Sequence, residues 1–179
     1  MKSQHRHDLQ TNELGKVADK VATSVGGFFE IYGNRIMIGF CVVSVAAAGL
    51  IYKWKLDRAH EAAAWRDLSK ASRAEDYAGV WERNPGTIAA RWARVHEGES
   101  RLDEGVQLLF TNVESGMKEL KLAREALQRV VDEQDTPAEI RERALFSLGR
   151  CLESMSDGSE SDAVKTYQTL LREFPASIY

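Results

Sequence analysis

The chain has 179 residues, 44% apolar and 28% charged, with a formal net charge of −3. Those totals suit one ordinary domain with an appendage, and they exclude a disordered chain and a basic nucleic-acid-binding surface. Three prolines, thirteen glycines and runs of Ala, Leu, Glu, Arg and Lys after residue 55 favour helix.

The first segment, QHRHDLQTNELGKVADKVATSVGGFFEIYGNR, carries an apolar stripe at Leu14, Val17, Val21, Val25 and Phe28, with Lys16, Asp19 and Lys20 off that face. This spacing predicts an amphipathic helix within residues 1–35, able to lie on a membrane surface or dock on a partner. Gly26–Gly27 is expected to bend it. His5, His7 and Asp8 are too loosely spaced for a metal site and read as a solvated tail.

IMIGFCVVSVAAAGLIY follows, Ile36 to Tyr52, seventeen residues without a charge between Arg35 and Lys53. As a helix it is about 26 Å long at ~1.5 Å per residue, the short end of what spans a bilayer. Phe28, Phe29 and Tyr32 precede it, and Tyr52 and Trp54 follow. Such rings prefer the headgroup level, and Arg35, Lys53 and Lys55 can snorkel to it. A cleaved signal peptide fits less well. The preceding segment is long, and GLIY continues past the small residues AAAG, where a cut would fall. A buried core helix is the third reading. The expected element is an uncleaved transmembrane helix over 36–53, with Ser44 and Ala48 as a small-residue pair. Basic residues near the span count three before (Lys16, Lys20, Arg35) and five after (Lys53, Lys55, Arg58, Arg66, Lys70). Lys2 and Arg6 even the count, so charge does not decide orientation. Cys41 in this run and Cys151 far beyond it read as two small apolar residues rather than a bridge.

Beyond the span the sequence repeats. AREALQRVV from Ala123 aligns with AVKTYQTLL from Ala163, so that Leu127 matches Tyr167 and Val130–Val131 match Leu170–Leu171. PGTI, PAEI and PASI, at Pro85, Pro137 and Pro175, read as helix starts, with Thr136 and Glu139 forming a capping box. An earlier unit joins AWRDLSKA to DYAGVWERNP, with Tyr77, Val80 and Trp81 on one face. The middle unit is long, and GVQLLFTNVESG is expected to extend its first helix or form a hydrophobic elbow. Trp65, Trp81, Trp92, Phe110 and Phe146 are candidates for a partner-binding face or for core packing. His60 and His96 are isolated, and Glu97 with Glu99 reads as a solvated face. No phosphate loop, nucleophile elbow, HExxH or CxxC occurs, so no catalytic, cofactor-binding or metal-binding residue is assigned and the chain reads as a non-enzyme.

The last unit, ALFSLGRCLESM…DAVKTYQTLLREFP, resembles a tetratricopeptide repeat. The resemblance implies that Leu148–Gly149 sit where the first helix needs a small residue. Ala163 would then touch that helix from the second, Tyr167 and Leu170 would follow on the same face, and Pro175 would close the unit. In the middle unit Ala123 and Leu127 take the corresponding places. The loop SDGSES is about two residues longer than the family's turn. The reading is therefore an all-α chain: an N-terminal amphipathic helix, a single transmembrane helix, and over 54–179 an α-solenoid of tetratricopeptide-like helix hairpins. PASIY opens as the other helix starts do, so the array reads as unfinished.

This order, carried by NELGKVADKVATSVGGFFEIYGNRIMIGFCVVSVAAAGLIYKWK and the Ala-rich helix after it, resembles the ancillary subunit of the bacterial Sec translocon. The resemblance implies a single-pass protein of the bacterial inner membrane, N-terminus cytoplasmic and repeat domain periplasmic. It would act as a scaffold for the translocon, envelope chaperones or exported polypeptides. A self-assembling envelope protein, hence a homo-oligomer, and a cytoplasmic signalling adaptor are the alternatives. Lipid is an expected partner, nucleic acid is not, and no cofactor is expected.

Overall fold

A computed structural model describes the backbone of residues 4–155 and 158–179, with side chains described at Lys20 and from Tyr32 onward except Ile36. Among the described residues the fold is all-helical. The six helices are α1 (Gln4–Leu68), α2 (Ala74–Arg83), α3 (Ile88–Leu109), α4 (Val113–Asp132), α5 (Ala138–Ser154) and α6 (Glu160–Glu173). Two compact units are distinguished, Met1–Lys55 and Leu56–Tyr179.

In the first unit the helix runs through Gly26–Gly27, so the expected break is not there. Two glycines cost a helix about 2 kcal/mol without forbidding it. The amphipathic stripe from Leu14 to Phe28 and the residues His5, His7 and Asp8 lie outside the described side chains. Within Tyr32–Leu68 one stretch is long and apolar enough to cross a membrane. No residue from Met37 to His60 is buried, and Phe40, Val45 and Leu50 are each 70% exposed or more. Among the described residues none covers the apolar run from Met37 to Tyr52. Ser44 and Ala48 share its exposure, as does Cys41.

The second unit is built by successive helices packing on one another, α2 on α3, α3 on α4, α4 on α5 and α5 on α6, with α3 also reaching α5. The apolar stripes explain this. Val95, Gly98, Leu102, Gly105 and Leu109 recur on α3 at helical spacing, facing Gly116, Leu120, Ala123, Leu127 and Val130 on α4. Ile140, Ala144, Leu148, Cys151 and Leu152 continue the core on α5, and Ala163 on α6. The Cys151 thiol donates to the Leu120 carbonyl. Each fully buried leucine contributes about 1.5–3 kcal/mol.

Two crossings are close because glycine leaves room. A Cβ on Gly116 would stand 2.8 Å from the Leu109 nitrogen and 2.9 Å from the Gly105 carbonyl oxygen, so α3 and α4 meet backbone to backbone. A Cβ on Gly149 would collide with the Tyr167 ring, so α6 lies on α5 through that ring.

The segment GVQLLFTNVESG combines the two alternatives expected for it, a longer first helix or an elbow. It carries α3 on to Leu109 and turns at Phe110–Asn112, and Phe110 is left 87% exposed at the elbow rather than packed.

The helix starts differ from the proline-first expectation. Pro85 sits in a turn closed by the Thr87 N–H donating to the Asn84 carbonyl, with Gly86 at φ +80. Thr87 is the cap, its hydroxyl accepting from the Ala90 N–H at 3.1 Å. Asn112 caps α4 in the same way. Pro137 is itself the N-cap of α5, and no capping box forms there. The Thr136 hydroxyl instead donates to the Val130 carbonyl at 3.0 Å, closing α4. Pro175 begins a turn after α6 and starts no helix among the described residues.

Candidate interaction face

The crossing of α3 and α5 brings polar and aromatic side chains into one strip. On α3, Trp92, His96, Glu99 and Asp103 are spaced at three or four residues and so share a side. On α5, Arg143, Phe146, Ser147 and Arg150 do the same. The two rows are tied together at Glu99. Its carboxylate accepts from both arms of Arg143, at 2.8 and 3.1 Å, and from the Ser147 hydroxyl at 2.8 Å. His96 Nδ1 is 3.4 Å away.

Burial would raise the pKa of Glu99, but hydrogen bonds from His96, Arg143 and Ser147 outweigh it and bring it down to about 2. Glu99 is thus an ionised structural anchor at every ordinary pH, and its remaining lone-pair capacity is committed. The planar fork of Arg143 holds it in a fixed geometry.

Rings flank this anchor on both sides. Trp92 stacks on His96 at 5.8 Å between centroids, and Tyr77 from α2 approaches His96 at 5.5 Å. On the other side Arg150 lies 6.0 Å over Phe146, and the Arg150 guanidinium is 3.9 Å from Asp103. The strip from Tyr77 to Phe146 therefore alternates aromatic surface with fixed charge. Chemically it suits contact with polypeptide: flat rings for apolar side chains, guanidinium groups for carbonyls and carboxylates.

A second charged cluster lies inside the α3–α4 packing. Buried Glu97 accepts from Arg94 at 2.8 Å and from Arg101 at 3.2 Å, and Arg101 reaches Glu119 on α4 at 2.9 Å. The Arg94 guanidinium also lies 5.1 Å over the Trp81 ring. Glu97 and Glu99 are therefore not a solvated face, as their sequence context suggested. Each is turned inward by an arginine on another helix or another turn. Glu61 makes a third such link. Its two carboxylate oxygens accept from the Ile88 and Ala89 N–H groups, both at 3.0 Å, at the positive end of α3.

The repeat-packing residues named from the sequence fall as follows. Ala123 and Leu127 are buried on α4, with Leu127 against Gly98. Leu148 and Gly149 are buried on α5, and Ala163 and Leu170 on α6. Tyr167 is half-buried on Gly149 and its hydroxyl donates to Glu153 at 3.1 Å. Burial and that carboxylate push its pKa up to about 12. Pro175 lies in the turn beyond α6. Of the three tryptophans, Trp92 is on the strip and packs partly against the core, Trp81 lies beneath Arg94, and Trp65 is 43% exposed on α1.

Sequence reasoning read Glu99 as part of a solvated face and passed over its partners Arg143 and Ser147, more than forty positions away, and Glu61. The i, i+7 pair Gly98 and Gly105 was a readable sign of a close helix crossing. Among the described residues no group of three or more His, Cys, Asp or Glu side chains is placed to hold a metal ion. Comparison of the chain with protein-family models, with curated proteins and with solved structures finds no match.

Proposed function

We propose that the chain is a single-pass membrane scaffold of the bacterial envelope. In this reading residues 36–53 lie in the bilayer, and the helices beyond form a tetratricopeptide-like array that holds other polypeptides at the Sec translocon with envelope chaperones. The observation that carries the reading is the packing order. Each helix from α2 to α6 lies on the next, and α3 also lies on α5, as the first helices of stacked hairpins do. The exposed apolar run supports the anchor, because a helix apolar on every side is stable in lipid. The α3–α5 strip supplies the contact surface.

The test is photo-cross-linking from position 92 in intact membranes. Capture of translocon subunits, envelope chaperones or exported polypeptides is expected, and capture of nothing but the chain itself overturns the reading. That second outcome would favour self-assembly, for which the exposed Val164 and Leu171 on one side of α6 speak. Protease protection in sealed cells reports the orientation. The repeat domain is expected to be shielded from a protease acting on the cytoplasmic side, and its digestion there would favour the adaptor reading.

A further inference from the structure

The chain lays one of its own side chains on the α3–α5 strip. Residues 175–179 leave α6 through a turn in which the Ser177 N–H donates to the Phe174 carbonyl at 3.0 Å. They return to α5, where the Tyr179 ring stacks on Phe146 with centroids 4.6 Å apart and planes 20° apart. The Tyr179 phenol lies beside the Arg143 guanidinium, the same group that Glu99 holds in place. The ring thus has an aromatic floor and a cationic edge. Both have holds of their own apart from Tyr179, since Arg143 is bound by Glu99 and Phe146 is half-buried on α5.

The Tyr179 N–H also donates to the Ser177 hydroxyl at 3.2 Å. Ile178, its one aliphatic residue of any size, is 90% exposed, and Tyr179 itself is 43% exposed. The contact of this segment with α5 is made through the Tyr179 ring. A ring is a natural anchor for an extended polypeptide, being large and conformationally simple. We infer that the site made by Phe146 and Arg143 receives an aromatic side chain from an extended polypeptide segment, and that Tyr179 occupies it as an internal competitor. This rests on the scaffold reading and names the chemistry its surface selects. A tethered occupant competes at high effective concentration, so its removal exposes the site's full affinity.

The test uses the full chain in lipid nanodiscs and a fluorescein-labelled peptide of the sequence Pro-Ala-Ser-Ile-Tyr, followed by anisotropy. The variant Tyr179→Ala is expected to bind this peptide about tenfold more tightly than the wild type, the upper range for one aromatic pair. The double variant Tyr179→Ala/Phe146→Leu, which keeps an apolar side chain at 146 but no ring and whose helicity is checked by circular dichroism, is expected to lose that gain. A control peptide with alanine in place of tyrosine is expected to bind neither form. Equal affinity in wild type and Tyr179→Ala, or a gain that survives Phe146→Leu, overturns the inference. If either occurs while position 92 still cross-links to translocon subunits or chaperones, the inference fails and the scaffold reading stands. If the cross-links are absent too, both fall.

Discussion

Two stretches of helix in this chain are rich in apolar residues and differ in how those residues are arranged. On α4, Leu120, Ala123, Leu127 and Val130 form one stripe, each at most 3% exposed, and Lys118, Lys121, Arg124 and Glu125 occupy the rest. From Ile36 to Tyr52 no side of the helix carries a charge, and from Met37 onward no side is covered. A stripe can be satisfied by a neighbouring helix of the same chain. A cylinder that is apolar all round needs cover on every side, from a surrounding protein core or from lipid. Burial in α4 is supplied by the protein, whereas the run is covered by none of the described residues and, on the scaffold reading proposed above, is buried in the bilayer instead.

The sharpest way to break this contrast is to truncate a leucine in each stretch. Leu127→Ala removes a side chain packed on Gly98 and should lower the stability of the helical array by about 2–5 kcal/mol in chemical denaturation of the full chain. Leu50→Ala, in the run, should leave that transition where it is. Equal losses would mean that the run has a protein partner after all.

The converse change is a charge. Val45→Arg places a guanidinium in the middle of the run at a cost of about 2.5–3.5 kcal/mol for insertion. It should move a measurable share of the protein out of the membrane fraction, while Glu125→Arg on the exposed side of α4 should not. Release of both, or of neither, would remove the distinction between the two helices.

Next comes the crossing of α3 and α4. Alanine normally improves a helix by about 1 kcal/mol over glycine. Gly116→Ala should reverse that sign and destabilise by about 1–3 kcal/mol, because its methyl meets backbone atoms that cannot swing aside. Gly39→Ala, with nothing within 4 Å, should show no such loss. Thermal unfolding in detergent compares them.

How much of this was legible follows from the range of each interaction. The stripes through Ala123 and Leu127 and through Ala163, Tyr167 and Leu170 are local repeats, and the apolar run is a composition signal. Both could be read directly. A small residue at Gly149 was expected from the repeat resemblance, but the side chain that lies on it, Tyr167, was not, since Ala163 was expected to make that contact. Glu99 was not legible, because alone it looks like a surface acid and Arg143, which turns it inward, is brought by folding. Glu97 was misread although Arg94 and Arg101 stand three before and four after it on the same helix, a spacing that pairs charges. The helix starts were misjudged for a related reason. Thr136 and Glu139 have the spacing of a capping box, yet the Thr136 hydroxyl finds the Val130 carbonyl of the preceding helix. Pro85 and Pro175 mark turns because proline suits the second position of a turn as well as a helix's first residues.

The smallest expected effect concerns Glu99. Its pKa in the folded chain is about 2, below its ordinary value of 4.5. The stabilisation it supplies is therefore complete above pH 4.5 and is lost as the pH falls towards 2. After allowance for solvent at a partly exposed site this amounts to about 1–2 kcal/mol. Glu99→Gln should flatten that part of the acid limb when unfolding free energy is followed against pH. An unchanged acid limb would mean that the link between α3 and α5 contributes nothing.

The account turns on where the uncovered run resides, and alkaline carbonate extraction of membranes carrying the full chain measures that directly. The wild-type chain should remain in the membrane pellet after the wash. Recovery of the intact chain in the carbonate supernatant would show that the run is not embedded in lipid, and the account of a tethered scaffold would be wrong.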